Sequence, residues 1–437
     1  MAPPQGSPED PWPVRGPDQV AAPGPLPGVP FTADARSATD FGDAMHARIR
    51  ETLPANLARS STRAPLEVAV LGAGSWGTAL AAAARRAGMG ARLWSRRPDV
   101  AHAIRTTGFN PRHLPGIALP QGLQASDDLQ QVLQGADIVV YAVPCAALRG
   151  VAGAAADGVA GHALVLAACK GVEPGSGSLM TQVLREQCRP GQAVGMLAGP
   201  SFADEVVRGL PTRLTLGLRA PTPGALDAAR ELARAWRDAA IELDICDDEV
   251  GVQVAGALKN AVAIACGMAT AQGLGENARA AIVARGLDDM RRLTLALGGR
   301  AETLFRSSGV GDLFLTASSS HSRNTRLGLR LGADAEQRAS AAQLGEGGEL
   351  AEGAVASHAL AALEQRLQLQ LHVPRAVREV LGARRSAAEA LHNLLAAPTD
   401  APAVLPQRAA AHAACAPAHD ATAVRVPAPA WNHRVVQ

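Results

Sequence analysis

The sequence has no surplus of charge: 42 Lys and Arg stand against 40 Asp and Glu, a formal net charge of +2. That balance gives no electrostatic reason to expect a nucleic-acid or membrane-surface partner. Cysteine is sparse, and the six present (Cys145, Cys169, Cys188, Cys246, Cys266, Cys415) show no paired spacing. A disulfide framework is disfavoured, and reduced thiols in a cytoplasm are expected. The first residues contain no basic stretch followed by an apolar core, so no secretory signal is expected. A clean membrane span is also lacking. The run VGVQVAGALKNAVAIACGMATAQGLG is interrupted by Gln253, Lys259, Asn260 and Gln272. It is built largely from Ala and Gly, which insert poorly, so a buried helix of a soluble protein is expected.

What that run does contain is one charge. Between Glu249 and Glu276 the only charged residue is Lys259, followed directly by Asn260. An ammonium in apolar surroundings is costly to keep charged, so its pKa tends to fall. A lysine tuned in this way can pass a proton near neutral pH. On this stretch alone the commoner arrangement stays ahead, a lysine whose stem lies along apolar surface while its head reaches water.

A chain of 437 residues exceeds what one hydrophobic core usually organises. Residues 1–63 are rich in Pro, Gly and Ala and are expected to be disordered apart from a short helical turn near Asp43–Leu53; 398–437 form a similar tail. Within 64–246, LEVAVLG, ARLW, DIVVYAVP, ALVLAAC, AVGMLAG and TRLTLGL read as strands, with Ala-rich helices between several of them. Continuous apolar strands alternating with helices predict a doubly wound, mostly parallel α/β sheet. From Asp247 strand signals vanish, and 247–397 is expected to form an all-α domain.

The first strand runs into Gly72-Ala-Gly74-Ser-Trp-Gly77 and then a helix. In that position the three glycines suit a Rossmann-type dinucleotide site: a tight turn, close approach of backbone to a pyrophosphate, and close helix–strand packing. At the end of the second strand, where an NAD-selective site would place a carboxylate, the chain reads Ser95-Arg96-Arg97. No carboxylate there repels a 2′-phosphate and two guanidiniums could bind one, so NADPH is favoured over NADH. Further polar groups follow later strands: Lys170-Gly171, then Gly199-Pro200-Ser201, with Ser201 expected to cap the next helix. In the second domain Asp312 follows two glycines, and Ser322, Arg323 and Asn324 form a donor-rich cluster suited to a phosphate monoester.

Taken in order over residues 66–395, VLGAGSWGTALA, NPRHLPG, ACKGVE, AGPSFADE, GALKNAVAIACGMATAQGLGENARAAIVARG, GVGDLFLT, SRNTRLG and ELAEG resemble NAD(P)-dependent glycerol-3-phosphate dehydrogenase of the bacterial type. The resemblance implies reversible reduction of dihydroxyacetone phosphate to sn-glycerol 3-phosphate, which supplies the backbone of phospholipids. It makes Lys259 the proton carrier. Lys170, Gly199 and Ser201 would contact substrate or cofactor, and Ser75, Trp76, Arg96 and Ala203 would line the cofactor site. Asp312, Ser322, Arg323 and Asn324 would bind glycerol phosphate, with Arg323 also reaching the cofactor, and Leu350 and Glu352 would close over it. A small-molecule substrate is the implied partner, a homodimer is compatible, and no metal is assigned. His113 stands where an aromatic, often tyrosine, is commoner, and Leu350 replaces the usual valine. The residues alone keep open another two-domain dehydrogenase, such as a ketopantoate reductase or a 3-hydroxy acid dehydrogenase, and a non-catalytic NADPH-binding regulator.

Overall fold

Short strands and helices alternate from Glu67 to Cys246. The computed structural model describes residues 65–219, 221–319, 321–333 and 352–396. The strands are β1 (Glu67–Leu71), β2 (Gly90–Trp94), β3 (Phe109–Asn110), β4 (Leu114–Ala118), β5 (Gln124–Ser126), β6 (Ile138–Tyr141), β7 (Leu164–Ala167), β8 (Val194–Ala198), β9 (Thr212–Leu218) and β10 (Ile241–Cys246). Eight of them form one sheet in the order β10-β9-β8-β7-β6-β1-β2-β5, while β3 and β4 pair as a separate hairpin. Every neighbouring pair in the large sheet is parallel except β8 with β9.

Both faces of the sheet are covered, and the side-chain alternation shows why its strands read as unbroken apolar runs. Val68 and Val70 enter the core on one face of β1, Ala69 and Leu71 the core on the other. The chain leaves β1 for β2 on one side and later resumes beside β1 at β6 on the other. The carboxyl ends of β1 and β6 therefore frame the switch point at which open α/β sheets bind ligands. All six apolar runs form strands. β10 went unrecognised because IELDIC alternates charge with apolar residues at a sheet edge, and β5 is only three residues long.

From Glu249 onward the described residues hold helices and helical turns only. The 23-residue helix Glu249–Ala271 is long and apolar enough to cross a bilayer, yet nearly all of it is buried as the axis of the second domain. Glycines let another helix, Arg323–Ala333, cross it closely. A Cβ on Gly328 would collide with Ile264 O, and one on Gly267 with Thr325 O. The extensions expected to be disordered, and Leu350, lie outside the described residues.

Candidate active site

At the switch point the backbone of the glycine loop is fixed by close approach. Gly72 has φ +117°, and a Cβ there would lie 2.6 Å from Ala142 O; one on Gly77 would strike Gly72 O. Beyond Gly74, by contrast, a Cβ would meet nothing within 4 Å, leaving the space a pyrophosphate needs. Helix Ser75–Arg86 begins at this point, so its first N–H groups face that space. The indole Nε1 of Trp76 is buried without a hydrogen-bond partner. An open cradle, a helix N-terminus and an orphaned donor fit a dinucleotide. At the end of β2 no ion pair engages the exposed Arg96 among the described residues. Arg97, expected to help bind a 2′-phosphate, instead donates to both oxygens of Asp99 at 3.1 and 3.0 Å. The carboxylate two residues on satisfies that guanidinium first.

Lys259 is 7% exposed. The side chain is buried, so the arrangement that led on that stretch alone is set aside. Its ammonium donates to Asp312 Oδ1 and, at 2.9 Å, to Thr316 Oγ1. The Thr316 hydroxyl gives its own proton to Asp312 O, one turn back (2.7 Å), which turns an oxygen lone pair toward the lysine. The other Asp312 oxygen accepts from Lys170 Nζ at 2.8 Å, and Lys170 also donates to Gly199 O at 3.0 Å. One buried carboxylate thus bridges an ammonium from each domain. The Lys259 pKa is lowered to about 8: burial, the largest influence, and Lys170 push it down, while Asp312 pulls it up.

Gly199 supplies its carbonyl from a backbone that only glycine fits, at φ +155° with Arg213 O and Leu214 packed against it. Ser201 does not cap the next helix. Its hydroxyl donates to Gly199 O (3.0 Å), and the N-cap of helix Ala203–Arg208 is Phe202, with no side-chain hydrogen bond. Ser322 does cap: Oγ accepts from Thr325 N at 3.3 Å as helix Arg323–Ala333 begins. Asn324 Oδ1 accepts from Gly353 N at 3.0 Å, and a Cβ on Gly353 would come within 3.0 Å of Asn324, Ile264 and Asn260. The Ser322–Asn324 turn is therefore packed beside the Lys259–Asn260 segment. Glu352 opens helix Glu352–Leu367.

The structure brings together Lys170, Gly199, Lys259 and Asp312, with Ser201 attached through Gly199. Sequence reasoning missed Thr316, whose only signal was its place four residues after Asp312 on one helix face. It also passed over Asn110, whose buried carboxamide donates to Ala73 O (3.0 Å) and Thr78 Oγ1 (2.9 Å) and so braces the glycine loop.

Known proteins resemble this chain over both of its halves. Models of the N-terminal and C-terminal parts of NAD-dependent glycerol-3-phosphate dehydrogenase match residues 67–222 and 248–392. Glycerol-3-phosphate dehydrogenase [NAD(P)+] of Rhodospirillum rubrum is 43% identical over 334 residues, covering 76% of this chain and 92% of that protein. The same enzyme of Cupriavidus pinatubonensis is 42% identical over 347 residues, covering 77% and 97%. The crystal structure of glycerol-3-phosphate dehydrogenase from Coxiella burnetii superposes with a TM-score of 0.70 at 33% identity, covering 76% of this chain and 99% of that one. With both halves matched in order, the chain belongs to the NAD-dependent glycerol-3-phosphate dehydrogenase family.

Proposed function

We propose that Lys259 is the proton carrier as this glycerol-3-phosphate dehydrogenase reversibly reduces dihydroxyacetone phosphate to sn-glycerol 3-phosphate. The observation that carries the assignment is the single Asp312 carboxylate bonded to Lys259 on one oxygen and Lys170 on the other. NADPH or NADH, bound at the glycine loop, supplies the hydride. Negative charge then grows on the ketone oxygen, and Lys259 stabilises it and donates the proton. In the reverse direction its neutral amine accepts the proton. Lys170 adds positive potential beside that oxygen and favours proton release from Lys259. Asp312 and Thr316 fix the direction of the Lys259 head, so little reorganisation accompanies transfer.

Ser322, Arg323 and Asn324 are the proposed seat of the substrate phosphate, at the start of helix Arg323–Ala333, a position whose N–H groups and basic residue suit a phosphate monoester. That seat separates this reading from a ketopantoate reductase, whose substrate carries no phosphate. Arg96, in the place a carboxylate holds in NAD-selective sites, supports NADPH as the preferred donor. Lys259→Ala, assayed with dihydroxyacetone phosphate, should lose roughly 10²-fold or more in kcat. Turnover near that of the wild type would sink the assignment, and faster turnover of ketopantoate by the unaltered enzyme would redirect the substrate.

A further inference from the structure

The turn joining β3 to β4 carries Arg112 and His113 to the rim of the glycine loop, and the cofactor reading has so far given them no task. The turn is fastened there. Besides the two hydrogen bonds from Asn110 to the loop and its helix, Ser75 Oγ donates to His113 O at 2.9 Å. Asn110 Oδ1 in turn accepts from the His113 N–H at 3.2 Å. On the other side of the loop, Gly72 N–H donates to Trp94 O at 3.0 Å, tying it to the end of β2. The segments that carry Arg96 and Arg112 are thus both tied to the glycine loop, one through Trp94 and the other through His113.

The half-buried His113 imidazole lies within the fields of both Arg112 and Arg97, and burial together with those charges holds it below the ordinary imidazole range. Arg97 is satisfied by Asp99, whereas no carboxylate pairs with Arg96 or Arg112 among the described residues. Two exposed, unpaired guanidiniums at the mouth of a phosphate-binding crevice gain most from a dianion that both can reach.

We propose that Arg112 is a specificity-determining residue that, together with Arg96, binds the 2′-phosphate of an NADP-type cofactor. This rests on the reading of Arg96 as the mark of the 2′-phosphate end of the crevice. Binding of nucleotide fragments tests it without turnover. Calorimetric titration of the full chain with adenosine 2′,5′-bisphosphate and with AMP compares wild type, Arg96→Ala, Arg112→Ala and Arg112→Lys. Arg112→Ala should weaken the bisphosphate by about tenfold, the loss of one charge-assisted contact, and leave AMP unchanged; Arg112→Lys should recover part of it.

If Arg96→Ala weakens the bisphosphate and Arg112→Ala does not, the role of Arg112 is overturned while NADPH preference stands. Equal weakening of both nucleotides by Arg112→Ala would also overturn it, since the arginine would then serve the common 5′-phosphate. A wild type that binds the two equally, with Arg96→Ala silent, would remove the underlying reading as well.

Discussion

Three influences act on the Lys259 ammonium, and each predicts a direction. Burial lowers its pKa, Asp312 raises it and Lys170 lowers it, and together they leave it at about 8. Reduction needs the ammonium, so kcat in that direction should fall as pH rises through about 8, while glycerol phosphate oxidation should rise over the same interval. Lys170→Ala removes a like charge and should move the break to higher pH. Asp312→Asn removes the opposing charge and should move it to lower pH. The pH dependence of kcat measured in both directions checks this; a break unmoved by either substitution would take the titration away from Lys259. Lys259 was legible in the sequence because a solitary charge in 26 otherwise uncharged residues needs a reason. Thr316 was not, because a threonine on a helix is ordinary until the lysine it faces is known. The capping role expected of Ser201 failed because the Gly199 carbonyl lies within its reach at 3.0 Å.

Secondary structure was read most securely where apolar runs were continuous. The strands buried on both faces are unbroken apolar runs, and the helix Glu249–Ala271 could be told from a membrane span by its polar interruptions and its small residues. Its crossing with Arg323–Ala333 was hidden, since close approach through glycine leaves no apolar stripe to read. That crossing sets the position of Arg323 and Asn324 at the start of the second helix. Gly328→Ala should force the helices apart, at a cost of about 1–3 kcal/mol for overpacking a close contact. The same displacement should raise KM for dihydroxyacetone phosphate. Thermal unfolding and steady-state kinetics measure the two effects, and a lower Tm with unchanged KM would uncouple the crossing from the phosphate seat.

The two domains are also joined away from the site. Glu249, buried at the start of the long helix, accepts from Arg185 Nη1 at 2.6 Å and Nη2 at 2.5 Å, from helix Met180–Gln187 of the first domain. Glu249→Gln leaves that guanidinium without its charge partner. The expected cost is about 2 kcal/mol, below that of a fully buried pair because Arg185 reaches water. Because Lys170 belongs to one domain and Lys259 to the other, kcat should fall together with Tm. A variant that melts earlier but turns over normally would confine this pair to stability. Sequence could mark where strand signals end, but a pairing between residues 64 positions apart is visible only in three dimensions.

The shared carboxylate of Asp312 has a consequence for timing. Separating the domains would stretch the 2.8 Å bond to Lys170 while leaving Asp312 with Lys259. The local electrostatic balance would then tilt toward retaining the proton, because the like charge that favours its release would have withdrawn. Readiness to give up a proton and alignment with the cofactor's domain are thus one geometric condition, and an enzyme with its halves apart would keep its acid idle.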